Sequence, residues 1–475
     1  MKRKGFKILE AAEMLTMGVM TMSAYAAEGW TMSNNSWVYL DKNGNKVIDE
    51  WRKGADNLWR YLNYRGEMAI NTWADDEYYV DSNGIMVSNQ WVKTKPQYDD
   101  RAEEEWFYFG SSGKAVKDGW KKIDGKSYLF DDEGIMQTGW SEDGIYYLGD
   151  DGAMKTGWRY LAEPMDEDGD PEWTEEYLGP ESLDDKYWFY FGSNGKKYCP
   201  ETLNSDDAYR VSRIDGNYYC FDEGGRMMTG WVYTGGDPDH PNGNSIEGWK
   251  YFAEAGIANV TYGTTVQGWL SLLPPDALQN EIGDDVLWYY FEKNGTPKYG
   301  VDDGEATTSD LVKINGNTYL FDQYGNPSSG LRKVEIGTTG EYTSYYFDES
   351  TKAAIKGKKT IEEADGTEST FYFKESGYVG RGYTGVKDNY LYYMGKRQEA
   401  EDGMRYAAIT LDIDGETKTY VVSETGRIAK NKTVKDDDGV KYTTGSTGLL
   451  TQVDGVDVGT AKYNDPSEPE FEEWD

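Results

Sequence analysis

One pattern of apolar and polar positions recurs along most of the chain. Each copy has four residues rich in Trp, Tyr and Phe, then three mostly polar residues and, in nearly every copy, a Gly. Large flat and branched side chains favour a strand, and the polar residues with Gly favour a turn, because Gly accepts a positive φ. Fifteen copies keep this register, beginning at Trp37, Trp59, Glu77, Trp106, Ser127, Ile145, Trp188, Tyr218, Trp249, Trp288, Thr318, Ser344, Thr370, Thr419 and Lys441.

A second, shorter apolar piece follows the turn, as at Ile135-Met136 and Met227-Met228. We expect it to form a return strand that pairs with the aromatic strand, while Thr-Gly-Trp leads into the next unit. An isolated hairpin is only marginally stable in water, so the units are expected to stack and bury one face of each on the next. The sequence therefore predicts an all-β fold, an elongated β-solenoid of stacked β-hairpin repeats.

Tryptophan divides the chain into two arrays. Of the 17 Trp residues, only Trp474 follows Trp288. Residues 27–300 are therefore predicted to form a Trp-rich array, and residues 301–462 a Trp-poor array of related hairpins, followed by an acidic tail at 463–475. Four insertions in the first array are interpreted as extended hairpin loops, at 92–105, 159–187, 232–248 and 253–287.

Residues 1–26 have the features of a secretory signal peptide. The basic segment MKRKGFK precedes a short apolar core at residues 14–22, and Ala24-Tyr25-Ala26 fits a cleavage site. A short N-terminal helix is the alternative. No later stretch has the ~18 apolar residues of a membrane span. We therefore expect an exported protein that is held at the cell surface, if at all, by non-covalent binding.

Charge and cysteine content narrow the function further. A net charge of −36 repels phosphate backbones, so nucleic-acid binding is not expected. The chain has two cysteines, Cys199 and Cys220, one repeat length apart. In an exported protein they can form a disulfide, and two buried reduced thiols are the alternative.

Catalytic and metal-binding signals are missing from the sequence. The only histidine is His240, which rules out a His-based triad and a histidine cluster for zinc. No glycine-rich phosphate loop follows a strand. Residues 166–170 (DEDGD) offer calcium-type ligands, but their Gly is misplaced for an EF-hand loop. No enzyme activity, cofactor or bound metal is therefore predicted.

The unit GW…(W/Y)(F/Y)Y(L/F)…G.M..GW resembles the cell-wall-binding repeat. That superfamily includes the choline-binding modules of pneumococcal surface proteins and wall hydrolases, the glucan-binding repeats of streptococcal glucosyltransferases and the receptor-binding repeats of large clostridial toxins. The resemblance covers nearly the whole chain after residue 26 and becomes degenerate after about residue 331. It implies a β-solenoid in which choline sits between consecutive hairpins, in a cage of aromatic rings with Met at the rim.

Cages of this kind suit a quaternary ammonium, which is attracted to the faces of aromatic rings. The resemblance implies that a cage takes the Trp of Gly-Trp, the first aromatic residue of the next strand and the third-position aromatic residue of the following hairpin. Carried over to this chain, the cages are Trp30, Trp37 and Tyr61, and Trp51, Trp59 and Tyr79 with Met68 at the rim. Three further pairs of Trp have long insertions between them: Trp91 with Trp106, Trp158 with Trp188, and Trp269 with Trp288.

Three functions remain as hypotheses. The five Trp pairs favour a non-catalytic protein that binds choline on teichoic acids of the cell wall, with residues 301–462 displayed outward or contacting a protein partner. Copies such as Tyr-Leu-Phe at 128–130 favour instead a carbohydrate-binding adhesin of the glucan-binding or toxin-repeat type, for cell-wall or host glycans. An enzyme with its site in the insertions is disfavoured, because no catalytic domain accompanies the repeats.

Overall fold

The structure is a computed structural model that describes residues 28–99, 101–164, 186–201, 209–236, 241–300 and 306–471. The predicted signal peptide, His240 and the acidic loop at 166–170 lie outside these ranges. The chain forms two compact units, and strands make up nearly all of their regular structure. The described residues of the first unit are 28–99, 101–158, 164 and 191–197, and those of the second are 159–163, 186–190, 198–201, 209–236, 241–300 and 306–471.

Antiparallel hairpins build the first unit. Its described residues form six of them: Gly29–Ser33 with Ser36–Leu40, Glu50–Lys53 with Trp59–Leu62, Thr72–Ala74 with Tyr78–Val80, Gln90–Thr94 with Glu105–Phe109, Gly119–Ile123 with Lys126–Phe130, and Gly139–Trp140 with Tyr147–Leu148. Two further strands, Gly157–Leu161 and Tyr187–Phe191, each contain residues of both units.

The described part of the second unit contains hairpins and three larger sheets. The hairpins are Gly230–Tyr233 with Trp249–Phe252, Gly268–Leu272 with Leu287–Phe291, Val312–Ile314 with Asn317–Tyr319, Gly330–Glu335 with Tyr342–Phe347, and Tyr406–Ile413 with Glu416–Ser423. The larger sheets, in spatial order, are Arg210–Ile214, Asn217–Phe221 and Met227–Met228; Gly357–Glu362, Glu368–Phe373, Lys396–Arg397, Tyr390–Tyr393 and Gly385–Lys387; and Thr433–Lys435, Lys441–Thr444, Leu450–Val453 and Val456–Asp457.

The hairpin differs from the one that the sequence pattern suggested. Gly-Trp is not a linker but opens the first strand, which pairs with the aromatic strand that follows, so that Trp120 lies opposite Leu129. The apolar piece after the turn makes a single bridge, Phe130 to Met136, because a four-residue turn ending at Gly134 returns the chain only to the last residue of the strand. The predicted return strand is therefore mostly wrong, although the strand and turn themselves are confirmed.

The return piece instead connects one hairpin to the preceding one. Its backbone N–H donates to the carbonyl of the first aromatic-strand residue of the previous hairpin. The bond is 2.7 Å from Met68 to Trp37, 2.9 Å from Met86 to Trp59, 2.8 Å from Met136 to Trp106 and, in the second unit, 3.0 Å from Thr265 to Tyr218. Successive hairpins therefore stack within each unit, as the repeat pattern predicts. The elongated shape of the whole chain stays a prediction.

The fourth residue of each aromatic strand supplies the core. A Phe occupies this position in most repeats, and fully burying such a side chain contributes about 1.5–3 kcal/mol. At most 1% of the side chain is exposed at Phe109, Phe130, Phe191, Phe221, Phe252, Phe291, Phe321, Phe347 and Phe373. These buried rings supply much of the core within each unit, in a chain whose hydrophobic content is only 38%.

Acidic residues directly after the aromatic strands close the turns. The Asp41 carboxylate accepts the backbone N–H groups of Asn43 at 2.8 Å and Asn45 at 2.9 Å. These hydrogen bonds favour its ionised form and hold the pKa of Asp41 below its ordinary value. Asp81 closes its turn in the same way. The repeated Asp therefore has a structural role in the turn in addition to contributing negative charge to the surface.

One of the four insertions interpreted as loops needs correction. Residues 253–287 are not one loop, because they contain the strand Gly268–Leu272, the 3-10 turn Asp276–Leu278 and the short helix Gln279–Ile282. The insertions at 92–105 and 232–248 do lie in hairpin loops, flanked by paired strands. Most of 159–187 lies outside the described residues.

Cys199 and Cys220 do not form a disulfide. Both are buried, with 1% and 0% of the side chain exposed. Cys220 packs with Val232 and Phe252, and burial raises the pKa of its thiol. The alternative of two buried reduced thiols is the one that the structure shows.

The segment predicted as an acidic tail is docked in its described part. The Ser467 N–H donates to the Gln398 side chain at 2.7 Å, and the Glu470 N–H donates to the Glu363 carboxylate at 2.7 Å. Phe471 packs against the core of Leu331 and its neighbours. This docking could not be predicted from the sequence, because the segment has no strand pattern and is held by hydrogen bonds to earlier repeats.

We predict that Gly84→Ala destabilises the protein more than Gly125→Ala. Both glycines have positive φ, +72° and +85°, so each Ala costs about 1–2 kcal/mol in backbone strain. At Gly84 the new Cβ would also lie 2.9 Å from the Met68 sulfur, whereas at Gly125 nothing lies within 4 Å. Urea unfolding followed by circular dichroism measures the difference. Equal losses in the two variants would contradict the close contact between the Met and the turn.

We also predict that stability falls as the pH rises from 10 to 12. Burial raises the pKa of Tyr345 to about 12, above the value of about 10 in the unfolded chain. A folded-state pKa above the unfolded one gives stability that is complete below pH 10 and lost as the pH approaches 12. Urea unfolding at pH 9 to 12 should show Tyr345→Phe losing less stability than the wild type. Tyr378→Phe, at an exposed phenol, is the control and should follow the wild type.

Candidate ligand-binding site

The indole ring of the Gly-Trp position is wedged between two successive hairpins. Trp51 contacts Tyr61 of its own hairpin, with ring centroids 5.1 Å apart, and Tyr78 of the next hairpin at 5.2 Å. Trp73 contacts Phe107 of the next hairpin at 4.9 Å and Phe109 at 5.4 Å. The ring therefore meets the third position of its own aromatic strand and the second and fourth positions of the next one.

A hydrogen bond fixes several of these rings. The indole N–H donates to a backbone carbonyl in the next hairpin, which gives the donor a partner and sets the orientation of the ring. The distance is 2.9 Å from Trp30 to Lys53, from Trp73 to Lys95 and from Trp231 to Leu273. Ring position is thus set by packing and by the backbone together.

The first predicted cage is not assembled as a set of touching rings. Trp30 pairs with Tyr39 of its own hairpin, with centroids 5.6 Å apart, and Tyr61 pairs with Trp51. Trp37 lies opposite Met32 in the strand register. Within the described residues, Trp30, Trp37 and Tyr61 make no ring contacts with one another, because the register places the first aromatic position away from Gly-Trp. Their role in ligand binding stays a prediction.

The second predicted cage is similarly open. Tyr79 is buried and its ring packs against Trp73 rather than Trp51. The first aromatic position, Trp59, is 42% exposed, and the ammonium of Lys53 lies 5.0 Å from the centre of its ring. A cation of the protein itself therefore occupies the ring face that a ligand ammonium would need.

Met68, predicted at the rim of this cage, lies against the next turn. It is half-buried, and a Cβ added at Gly84 would come within 2.9 Å of its sulfur. Met86 approaches Gly113 in the same way, so this Met is a packing residue between hairpins. A role for Met68 at a ligand remains untested.

Trp91 stands at the centre of an open group of rings. Of the five predicted Trp pairs, Trp91 and Trp106 are in ring contact, with centroids 6.5 Å apart. Trp91 also contacts Tyr108 at 5.1 Å, Tyr128 of the next hairpin at 4.9 Å and Phe130 at 5.7 Å. We call Trp91, Trp106, Tyr108 and Tyr128 the Trp91 cluster, and Phe130 forms its buried floor.

The Trp91 cluster is accessible and carries no internal cation. Trp106 is 40% exposed, and the other three rings are half-buried. In the part of the chain that the structure describes, no Lys or Arg side chain lies over any of these rings, although Lys93 is the cross-strand neighbour of Trp106. Burial raises the pKa of Tyr128, which keeps its phenol neutral. The cluster can therefore offer aromatic faces to an external cation.

The other two predicted pairs are Trp158 with Trp188 and Trp269 with Trp288. Trp158 belongs to the first unit, whereas Trp188 belongs to the second, where its ring lies 5.3 Å from that of Tyr160. Trp269 packs against the rings of Tyr290, Tyr319 and Phe321. Trp288 is 51% exposed and lines a separate cavity of about 330 Å³ beside Asp322, Asn326 and Arg332.

Sequence reasoning missed part of the Trp91 cluster. It selected Trp91 and Trp106 but assigned Tyr108 and Tyr128 only to strands. The signal was available in the repeat itself, because an aromatic residue recurs at the second and third strand positions. These positions could be assigned to a site only once the structure showed that Gly-Trp pairs with the aromatic strand of its own hairpin. The cation over Trp59 was also missed, although Lys53 lies at its cross-strand position.

The described residues contain neither a metal-binding cluster nor a membrane-spanning helix. No group of three or more His, Cys, Asp or Glu side chains is arranged to hold a metal ion. No helix there is both long and apolar enough to cross a membrane.

In its fold and site the chain is a repeat protein of aromatic β-hairpins. Two segments of the chain, residues 67–99 and 118–158, match family models described as choline-binding repeats. The first segment contains Trp91, and the second contains Tyr128. The Trp91 cluster thus joins the two matched segments.

The chain is similar to several known proteins at low sequence identity. Glucosyltransferase-S of Streptococcus mutans serotype c (strain ATCC 700610 / UA159) is 24% identical over 264 residues, which are 56% of this chain and 14% of that protein. The modular autolysin LytC from Streptococcus pneumoniae is 20% identical, covering 64% of this chain and 54% of its own, with a TM-score of 0.37. Choline binding protein F from the same species is 22% identical, covering 70% and 98%, with a TM-score of 0.33.

Proposed function

We propose that the chain binds choline on cell-wall teichoic acids, through the Trp91 cluster, and so attaches without a covalent link to the bacterial cell wall. The observation that carries the proposal is the cluster itself: four rings from two successive hairpins, one of them 40% exposed, with no cation of the protein over them within the described residues.

The chemistry of choline matches this arrangement. A quaternary ammonium has no N–H to donate, so it gains most from the negative faces of aromatic rings, and Trp is the best of these. Partial burial strengthens the attraction because less water screens it. The net charge of −36 adds a long-range attraction for a cationic group.

Repetition adds to the strength of binding. Teichoic acid is a polymer, so after one site binds, the next binding event is intramolecular. The other predicted rings are further candidate sites: Trp30, Trp37 and Tyr61; Trp51, Trp59 and Tyr79 with Met68; Trp158 with Trp188; and Trp269 with Trp288. We infer that the site at Trp51 and Trp59 is weaker than the Trp91 cluster, since the ammonium of Lys53 already lies over the ring of Trp59.

The proposal extends to location and partners. Residues 1–26 are proposed to direct export, and the repeats to hold the mature protein on the wall. Residues 301–462 are proposed to face a protein partner. The chain is proposed to be non-catalytic. Because an autolysin and a glucosyltransferase are among its relatives, assays of wall hydrolysis and of glucosyl transfer with the purified chain test this part, and we expect no activity in either.

A glycan ligand is the second candidate function. The exposed ring of Trp288 borders a cavity with the polar side chains of Asp322, Asn326 and Arg332. A flat ring beside hydrogen-bonding groups is suited to a sugar, whose ring has apolar faces and a polar edge. A neutral sugar has no cationic group, so its binding at Trp288 would not depend on the cation–π attraction proposed for the Trp91 cluster.

We predict that choline binding depends on Trp106 more than on Trp59. Both are exposed Trp residues at the first strand position of the first unit, but Lys53 lies over Trp59. Removing a cation–π partner costs about 1–2 kcal/mol, so Trp106→Ala should weaken choline binding roughly 5- to 30-fold. Trp fluorescence during a choline titration measures this, with equal NaCl as the ionic control.

The variant Trp59→Ala is the matched control and should bind nearly as tightly as the wild type. Equal losses of choline affinity in Trp106→Ala and Trp59→Ala would contradict the proposal that the Trp91 cluster is the main choline site. A response to maltohexaose with none to choline would favour the glycan function instead.

A further inference from the structure

A cavity of about 520 Å³ lies within the second unit, between parts of three hairpins. Its walls are Tyr218, the strand end and turn from Tyr290 to Lys298, and the strand Val312–Ile314. The Trp91 cluster belongs to the first unit and contributes nothing to it. None of the predicted choline-binding residues lines this cavity, so it needs a separate explanation.

Basic side chains outnumber acidic ones around this cavity, in a chain whose net charge is −36. Lys293, Lys298 and Lys313 line it, against the single carboxylate of Glu292. Glu292 forms an ion pair with Lys298 and so neutralises it. In the part of the chain that the structure describes, the ammonium groups of Lys293 and Lys313 form no ion pair or hydrogen bond. The wall therefore has an uncompensated positive charge, which attracts anions.

The cavity wall also contains aromatic rings and a side-chain amide. Tyr218 and Tyr290 are half-buried, and the Arg213 guanidinium lies 5.9 Å from the centre of the Tyr218 ring, which adds a further positive group at the edge. The Asn294 side-chain oxygen accepts the N–H of Thr296 at 3.1 Å, which leaves the NH₂ group of Asn294 available as a donor. The cavity thus combines apolar faces, a hydrogen-bond donor and positive charge.

We infer that this cavity binds an acidic saccharide, a sugar or polyol unit that carries a phosphate or carboxylate group. Lys293 and Lys313 would meet the negative charge, since ammonium groups on flexible stems adapt to either anion. The Tyr rings would pack against the apolar face of the unit, and the amide of Asn294 would meet its hydroxyl groups. Choline is repelled by the same lysines. The site is therefore independent of the proposed choline binding.

Isothermal titration of the full chain with four probes tests this inference. The probes are hexagalacturonate, a six-unit glycerol phosphate oligomer, neutral maltohexaose and inorganic phosphate. At least one acidic oligomer should bind, and the binding should weaken with added NaCl. Whether the phosphate or the carboxylate oligomer binds identifies the natural source of the charge.

Two charge-matched variants locate the binding. Lys293→Gln with Lys313→Gln should weaken it at least tenfold, while Lys121→Gln with Lys122→Gln, which removes two exposed lysines of the first unit, should leave it unchanged. Choline binding should be unaffected by both. Equal losses in the two variants, maltohexaose binding that Lys293→Gln with Lys313→Gln weakens to the same extent, phosphate binding as tight as that of the oligomers, or no binding of any probe would each overturn the inference. Circular dichroism confirms that both variants remain folded.

Discussion

The contact of the Gly-Trp indole with two hairpins is the interaction on which the rest of this structure depends. Trp51, Trp73 and Trp91 each touch a ring of their own hairpin and a ring of the next one. A single hairpin buries too little apolar area to be stable, so the stability of each repeat is shared with its neighbours. This explains how a strongly acidic chain folds around buried aromatic rings.

The same geometry determines where a ligand can bind. Packing leaves the Gly-Trp rings of Trp51, Trp73 and Trp91 half-buried, whereas the first-position rings of Trp59 and Trp106 are exposed. Whether such a ring can bind a ligand cation then depends on the neighbouring side chain. Lys53 lies over Trp59, whereas Trp106 stands uncovered beside Trp91. Both rings have a Lys as cross-strand neighbour, so these repeats differ as sites through the position of that Lys side chain.

The sequence predicts the strands, turns and stacking well, because the fixed spacing of aromatic residues and Gly reflects local geometry. It does not reveal that Gly-Trp belongs to the hairpin, since alternation along one strand says nothing about which strand is its partner. Cross-strand neighbours such as Lys53 and Trp59 follow only from that register. The docking of Ser467 and Phe471 on much earlier repeats was also unpredictable, since long-range hydrogen bonds leave no local pattern.

The central claim is that rings held between successive hairpins form the choline site. A crystal structure of the protein grown with choline tests it most directly. The account predicts an ammonium group within about 6 Å of the ring centres of Trp91 and Trp106, in contact with both hairpins. Well-ordered crystals at saturating choline with no ligand at these rings, or with choline bound only elsewhere, would contradict it.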